Sequence, residues 1–388
     1  MRKIFYLPIV AMLMTGAVSC NSDDDVKNDD NKLSAKEAAF QKAIFPYVNS
    51  TIIPTYKGMA DNAILMSDAC NEIYDAFLNG TLTTAMIKKA GEYWNMSRDY
   101  WEKSEAFLYG AAADYNIDPH IDSWPLDKNA MEDLLYDLRN GKNWNINNNA
   151  GYGLLGFHAV EYMLFELSAD GNTSLTHNLN YSVEELVYLT AVAEDLRNQC
   201  ILLEAAWAGM ENISEEKQAI LEEAELEPSI NYGYSMINAG KGGSLYKTYQ
   251  AAVEDLIQGC IDIADEVGNT KIGRPVLGSS AEDRNYIESP YSLNSINDFV
   301  GNIISVRNAY CGSKSGDYSV SDYIKSENPD LDKEMREMLE TSINSIAAIP
   351  EPFAKTASAD PAAMKAMEVV GTDLVNLLER VMSELSKH

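Results

Sequence analysis

Residues 182–208 read SVEELVYLTAVAEDLRNQCILLEAAWA, and this stretch indicates the fold class more clearly than any other. Ser182 and Glu185 are spaced as a capping box, in which each side chain satisfies a backbone amide at a helix start. The apolar residues that follow recur every three or four positions, as on one face of an α-helix. They are Leu186, Leu189, Ala193, Leu196, Cys200, Leu203 and Trp207. Such a face needs an apolar partner, so other helices must pack against it.

The same helical periodicity recurs along the chain, with further stripes in residues 249–267 and 367–385. Ser34 with Glu37 is spaced as a second capping box, and Asp360 before Pro361 marks a third helix start. No segment alternates polar and apolar residues over the roughly six positions that a strand requires. Helices are predicted at 34–79 (disturbed at Pro54), 83–109, 127–139, 153–168, 182–209, 214–225, 246–267, 293–310, 329–348 and 360–386.

The pattern predicts an all-α fold of two halves, each resembling a four-helix bundle, packed against each other. A chain of 388 residues is long enough for two such domains. Glycine and proline interrupt the helical pattern most between residues 227 and 244. The predicted domains are therefore an N-terminal bundle, 33–228, and a C-terminal bundle, 229–388.

The charge balance limits the possible partners. Asp and Glu number 59 against 30 Lys and Arg, which gives a formal net charge of -29. A field of this sign repels phosphate backbones and attracts cations, so it argues against nucleic acid as a partner.

The first twenty residues predict export. Arg2 and Lys3 precede an apolar stretch, 4–18, that is too short to span a bilayer and is typical of a signal peptide, here 1–19. Residues 17–20 read AVSC and resemble a lipobox, although Ala17 stands where leucine is usual. The sequence thus predicts lipidation of Cys20, which would anchor the protein to a membrane. An ordinary signal peptide with an unmodified cysteine is the alternative.

The predicted lipid anchor is followed by a polar segment. Residues 20–32 contain little apolar surface and are expected to form a disordered acidic tether. Residues 22–25, SDDD, resemble the tag that sends some lipoproteins to the outer face of the outer membrane. The protein is therefore expected to be an outer-membrane lipoprotein at the cell surface. A position on the periplasmic face of the membrane is the alternative.

The four cysteines beyond Cys20 show no metal-binding or redox spacing. None of them forms a C-x-x-C pair, so neither a thioredoxin-type site nor a zinc ribbon is expected. Their predicted role is apolar filling of the core. The sequence leaves the oligomeric state open, and also the disulfide status of Cys70, Cys200, Cys260 and Cys311.

Two motifs lack the context that their usual chemistry needs. Residues 151–156 match G-x-G-x-x-G, but the preceding residues 145–150 form a polar turn rather than a strand, so no dinucleotide cradle is expected. Asp118, His120 and Asp122 alternate along a predicted loop and are a weak candidate for a metal site.

His158 and Glu161 are the strongest candidates for a functional pair. Residues three apart share one face of a helix, so the imidazole and the carboxylate can reach the same metal ion. Their neighbours are nearly all apolar, and a buried pair of this kind needs polar partners. The spacing alone leaves two interpretations open, a metal-binding pair or a core histidine hydrogen-bonded to a carboxylate.

Residues 156–165, GFHAVEYMLF, resemble the G-x-H-x-x-E segment of the imelysin-like family, whose founding members are insulin-cleaving membrane peptidases. Residues 98–107, RDYWEKSEAF, and 121–127, IDSWPLD, resemble family blocks that precede this segment. Residues 288–292, ESPYS, and the predicted helix 298–312 resemble blocks of its second half. The resemblance covers most of residues 40–385.

This resemblance implies an exported, all-helical protein whose shared residues lie between two halves, with a link to iron acquisition. It implies that His158, Glu161 and Glu105 bind a metal, and that Glu161 is the catalytic base if the protein is a peptidase. The implied ligand-binding residues are Arg98, Ser292, Asp298 and Tyr310.

Two departures from related motifs weaken the expectation of catalysis. Some iron-uptake relatives carry H-x-x-E-x-x-E, but position 164 is Leu164, so a third acidic ligand is missing from this helix. In the zinc-peptidase motif H-x-x-E-H, the second histidine is replaced here by Tyr162.

The expected function is a cell-envelope lipoprotein that binds iron or zinc, or a ligand carrying such a metal, between its halves. Its expected partners are a membrane, through the N-terminal lipid, and envelope components of iron uptake. A zinc peptidase that uses His158 and Glu161 is the alternative. A non-catalytic surface module that binds proteins is a weaker alternative.

Replacing Cys20 tests the predicted anchor. We expect Cys20→Ala to move the protein from the membrane fraction to the soluble fraction, because the acyl chains hold it to the bilayer. Cell fractionation with immunoblotting measures this, and Cys311→Ala, a cysteine inside the folded body, is the matched control. Membrane anchoring that persists in the Cys20→Ala protein would contradict the lipoprotein interpretation.

Overall fold

A computed structural model describes residues 33–142, 146, 151–165 and 179–387. The predicted signal peptide, Cys20 and the tether lie outside these residues. Helices joined by turns make up the described parts of the chain, and no strand occurs among them. The prediction of an all-α fold is confirmed. Within the described ranges, no helix has the length and apolar character that crossing a bilayer requires.

The first half of the chain contributes nine described α-helices. They are α1 (Ala35–Pro46), α2 (Ile53–Leu78), α3 (Thr84–Glu102), α4 (Ala111–Asp114), α5 (Ile117–Ile121), α6 (Lys128–Arg139), α7 (Gly156–Phe165), α8 (Val183–Ala208) and α9 (Glu215–Glu223).

The second half contributes ten more, within residues 229–387. They are α10 (Tyr232–Ile237), α11 (Tyr249–Asp265), α12 (Gly273–Leu277), α13 (Ala281–Arg284), α14 (Ser295–Cys311), α15 (Val320–Glu327), α16 (Pro329–Ala347), α17 (Phe353–Thr356), α18 (Pro361–Glu368) and α19 (Val375–Leu385). Wider π-helical turns occupy Tyr47–Ile52, Glu266–Ile272 and Val369–Leu374, and 3-10 turns occupy Glu105–Phe107, Tyr152–Leu154 and Met210–Asn212.

The long helices pack as two bundles. In the first half α2 packs against α3 and α8, and α7 packs against α3 and α8. In the second half α11 packs against α14 and α19, and α16 packs against the same two helices. The halves meet where α3 contacts α14 and where the 3-10 turn Glu105–Phe107 contacts both α11 and α14. In addition, α1 lies against α11. The domain boundary predicted at residue 228 falls in the connection between α9 and α10.

The predicted helix caps are present. Ser182 and Glu185 form the complete capping box at the start of α8. Ser34 accepts a hydrogen bond from the backbone N–H of Glu37, as predicted. The carboxylate of Glu37, however, accepts hydrogen bonds of 2.8 and 3.1 Å from backbone N–H groups at the start of α11. One acidic side chain therefore caps α11 and ties α1 to it.

Three sequence predictions of local structure are wrong. The helix α3 ends at Glu102 rather than near residue 109, because the Ser104 hydroxyl binds the carbonyl of Trp101 and the chain turns. The helix predicted to end at residue 267 continues through a π-helical turn to Leu277. A search for apolar residues at the 3.6-residue spacing of an α-helix does not detect a π-helical turn, because its hydrogen bonds span five residues. The predicted loop at 118–122 is mostly the short helix α5.

Gly156 sets the position of α7. Its φ is +74°, a region that favours glycine, and a Cβ at this position would lie 2.0 Å from the carbonyl oxygen of Ile121. Ile121 is the last residue of α5 and precedes Asp122. Because only glycine allows this approach, α7 begins against the end of α5. His158, two residues further on, consequently lies beside Asp122.

Replacing Gly156 tests this constraint. We expect Gly156→Ala to lower the free energy of unfolding by about 2–4 kcal/mol, from backbone strain plus overlap with a backbone oxygen. Gly151→Ala is the matched control, since Gly151 has negative φ and open space around it, and we expect a change of at most about 0.5 kcal/mol. Urea unfolding measures both values. A loss of less than about 1 kcal/mol for Gly156→Ala would contradict the constraint.

Candidate functional site

His158 lies in the first turn of α7 and is 1% exposed. Its Nδ1 is 3.0 Å from Oε2 of Glu161, one turn further along the same helix. Its Nε2 is 3.1 Å from Oδ1 of Asp122. Burial by itself lowers the pKa of His158, but the two carboxylates outweigh burial and raise this pKa to about 9. The imidazole is therefore protonated at neutral pH when no other cation is bound.

Glu161 connects α7 to a loop of the second half. Its Oε1 accepts hydrogen bonds from the backbone N–H groups of Tyr291, at 3.0 Å, and Ser292, at 2.8 Å. The hydroxyl of Ser292 donates a third hydrogen bond to the same oxygen, at 2.7 Å. Since Oε2 faces His158, both oxygens of Glu161 are occupied. Glu161 thus fixes the orientation of the imidazole and joins the two halves.

Arg98 is fully buried on α3 and contacts acids of both halves. In its own half, Nη1 donates to Asp122, and Nη2 lies 2.6 Å from Oε1 of Glu102. From the second half, Oε1 of Glu288 lies 2.6 Å from Nη2, and Oδ2 of Asp298 lies 3.6 Å from Nε. One guanidinium group therefore joins carboxylates on either side of the boundary.

Lys271 makes the reciprocal connection from the second half. It lies in the π-helical turn Glu266–Ile272 and is 1% exposed. Its Nζ is 3.1 Å from Oε1 of Glu288, 3.4 Å from Oε1 of Glu105 and 3.9 Å from Oε2 of Glu102. Each half thus supplies a cation that binds acids of the other half.

Six buried carboxylates converge at this boundary, and we call them the acid cluster. Its members are Glu102, Glu105, Asp122, Glu161, Glu288 and Asp298, none more than 7% exposed. The basic side chains that face the cluster are Arg98, Lys271 and His158. The acids outnumber these bases by three even when His158 is protonated. Unpaired buried charge is costly, so protons or a bound cation must supply the missing positive charge.

Protons supply part of this charge in the absence of another cation. Burial raises the pKa of Glu102 and of Glu105 well above the usual range, and it raises the pKa of Asp298 to about 6. Asp122 behaves differently, because Arg98 and His158 outweigh its burial and hold its pKa below the usual range. Within the cluster, Asp122 therefore holds its negative charge most strongly, whereas burial favours the protonated form of Glu102, Glu105 and Asp298.

Two donor atoms of the cluster are placed to bind a cation. Nε2 of His158 and Oε2 of Glu288 are buried and have no hydrogen-bond partner, since the contact of Nε2 with Asp122 is an ion pair without hydrogen-bond geometry. Ligand atoms of His158, Glu288 and Asp122 lie within 4.8 Å of one another. One metal ion with bonds of about 2.0–2.3 Å can bridge such distances. The donor set, one imidazole and two carboxylates, suits iron or zinc.

The structure brings most of the predicted site residues together. The residues in or against the acid cluster are Arg98, Glu105, His158, Glu161, Ser292 and Asp298. Tyr310 is not near them: its hydroxyl donates to Asp332 at 3.0 Å, and it lies about 18 Å along α14 from Asp298.

The three residues of the weak candidate at 118–122 diverge. His120 pairs with Asp195 at 2.7 Å, and Asp118 lines a cleft beside the cluster. Only Asp122 reaches His158.

Sequence reasoning did not connect four members of the site with His158, namely Glu102, Asp122, Glu288 and Lys271; Asp122 was named only in the weak candidate at 118–122. The first three lie in segments that resemble family blocks, and that resemblance was the signal that could have identified them. Lys271 carries no such signal, because it follows the predicted end of its helix.

The chain resembles known proteins over most of its length. The imelysin family matches residues 52–381. Iron-regulated protein A from Synechococcus elongatus is 25% identical over 310 residues, which are 79% of this chain and 75% of that protein. A crystal structure named for an iron-regulated protein A precursor from Parabacteroides distasonis has a TM-score of 0.75 and 26% identity, covering 92% of this chain and 97% of that chain.

A more distant structure shows the same fold. An imelysin-like protein from Psychrobacter arcticum has a TM-score of 0.62 at 12% identity, covering 92% of this chain and 95% of that chain.

Replacing Arg98 tests whether the cluster holds the halves together. We expect Arg98→Met to lower the free energy of unfolding by about 3–5 kcal/mol, because it leaves buried carboxylates without a partner. Arg307→Met is the control, since Arg307 forms an exposed ion pair with Glu340 at 3.4 Å, and its loss should be at most about 1 kcal/mol. Urea unfolding compares the two. Equally small losses would contradict the role given to Arg98.

Proposed function

Because the chain belongs to the imelysin family, we propose that it is a cell-envelope lipoprotein that binds a metal ion, or a ligand carrying one, at the acid cluster. The observation that carries this proposal is that Nε2 of His158 and Oε2 of Glu288 form no hydrogen bond and lie, with Asp122, close enough together to hold one ion in a cluster with three excess acids. A divalent cation bound there would replace the proton on Nε2 of His158 and relieve part of the excess negative charge.

The contacts of His158 support its role as a ligand. With the Nδ1–H group donating to Glu161, a metal ion that displaces the proton from Nε2 gains the lone pair of that nitrogen. A carboxylate that fixes the ring in this way is common behind metal-binding histidines. We therefore propose His158, Glu288 and Asp122 as ligands, with Glu161 as the residue that positions the imidazole. Glu105 lies with Glu102 and Asp122 in an adjoining set of carboxylates.

The names of the relatives point to iron. Two similar proteins are named iron-regulated protein A, and these names support an iron-related role for this chain. The ligand types also suit zinc, which has to be tested beside iron. We propose that the protein serves iron uptake together with other components of the cell envelope.

Export and lipid anchoring belong to the same proposal. The relative from Parabacteroides distasonis is named a precursor, which supports an exported protein. The predicted signal peptide and the lipobox-like residues 17–20 support anchoring through Cys20, and SDDD at 22–25 supports a position at the surface of the outer membrane.

The geometry does not favour the peptidase alternative. A general base needs a carboxylate oxygen within reach of a water molecule on the metal. One oxygen of Glu161 binds the loop at Tyr291 and Ser292, and the other faces His158. His158 is also almost completely buried, whereas a peptide bond must reach the metal of a peptidase.

Metal binding is the direct test. We expect the purified protein without the predicted anchor, residues 33–388, to bind about one equivalent of Fe(II) or Zn(II). This stoichiometry follows from the one donor set with an imidazole among the residues that the structure describes. His158→Gln and Glu288→Gln should each weaken the affinity at least about tenfold, since each removes a ligand. Equilibrium dialysis with elemental analysis, under anaerobic conditions for Fe(II), measures this.

His120→Gln is the matched control, because His120 also pairs with an aspartate but lies outside the cluster. It should bind metal as the unmodified protein does. Folded protein that binds no metal, or His158→Gln protein that binds with unchanged affinity, would contradict the proposal. A metal-free protein would leave the protein-binding module as the remaining interpretation.

A further inference from the structure

A cleft of about 280 Å³ connects solvent with the edge of the acid cluster. Asp122 and Glu105 line it from the cluster side, and Asp118 and Glu266 line it further out. A second cleft, of about 420 Å³, shares Glu105, Asp118 and Glu266 and adds Asp255 and Asp262. Together the two clefts form an acidic surface that attracts cations toward Asp122.

Lys271 is the basic residue among the described residues that line the inner cleft. Its ammonium group lies 5.3 Å from the centre of the Trp124 ring, and Trp124 lines the same cleft. On the other side, the ammonium faces Glu105 and Glu288 at 3.4 and 3.1 Å. Lys271 therefore stands between the acidic cleft and the carboxylate of Glu288 that has a free oxygen.

Arg98 and Lys271 differ in their surroundings. Arg98 is 0% exposed, does not line the inner cleft and is bound by four carboxylates. Lys271 lies in a π-helical turn, a local irregularity that often occurs at functional sites. Its flexible side chain carries a compact charge and can move more easily than a guanidinium group that is bound on several sides.

We propose that Lys271 is a resident counter-ion that competes with the incoming metal ion and thereby sets the affinity of the site. This inference rests on the proposed metal site. The ammonium of Lys271 contacts one oxygen of the Glu288 carboxylate, and the other oxygen is the proposed metal ligand. The ammonium and the bound metal ion would therefore repel each other at short range. A cation arriving from the acidic cleft must displace Lys271 or bind beside it. Such competition lowers the affinity for the metal ion and favours its release.

The test compares metal affinity in variants that keep or remove this charge. Lys271→Met keeps the length and apolar stem of the side chain, and we expect it to bind Fe(II) or Zn(II) at least about tenfold more tightly at fixed pH and ionic strength. Lys271→Arg keeps the charge and should stay within about threefold of the unmodified affinity. Lys217→Met is the matched control, because Lys217 is a buried lysine paired with Glu204 outside the cluster.

Thermal unfolding of each variant separates folding from binding, and Lys271→Gln replaces Lys271→Met if the latter does not fold. Binding that is unchanged or weaker in Lys271→Met, while the unmodified protein binds metal through His158, would overturn the role of Lys271 alone. If the folded unmodified protein and all variants bind no metal, the proposed function fails and this inference fails with it. Tighter binding in Lys217→Met as well would show a general charge effect and would also overturn the specific role.

Discussion

The structure depends on crossed ion pairs between its two halves. Arg98 of the first half binds Glu288 and Asp298 of the second, and Lys271 of the second half binds Glu102 and Glu105 of the first. Buried charges are tolerated only when oppositely charged groups meet them at close range. The halves must therefore dock in the one arrangement that pairs these groups. The same docking brings a loop of the second half onto Glu161.

This docking leaves an excess of acid at its centre. Close helix packing helps to create it, since Gly301 of α14 approaches Glu102 so closely that a Cβ would lie 2.7 Å from the Glu102 Cβ. Water cannot screen the carboxylates, because they are buried. A protein selected only for stability gains little from three extra buried acids. Their presence around an imidazole whose Nε2 forms no hydrogen bond is the physical basis for proposing a metal site here.

Sequence pattern predicted the helices well but predicted only part of the site. Apolar spacing identifies α11 because this helix buries one continuous face. The spacing of His158 and Glu161 correctly placed both on one face of α7. The partners of this pair could not be found by spacing, since Asp122 and Glu288 come from distant turns that only tertiary packing brings together. Lys271 was missed for a local reason, the unforeseen π-helical turn that carries it. Tyr310 shares a helix with Asp298, and a shared helix does not place two residues at one site.

We propose that the cluster between the halves binds a metal ion through His158 and Glu288. Crystals of the metal-loaded protein, with anomalous diffraction recorded above and below the iron and zinc absorption edges, test it most directly. We expect one anomalous peak about 2.0–2.3 Å from Nε2 of His158 and from an oxygen of Glu288. A well-ordered cluster without such a peak, or a peak bound only by residues outside the cluster, would contradict it.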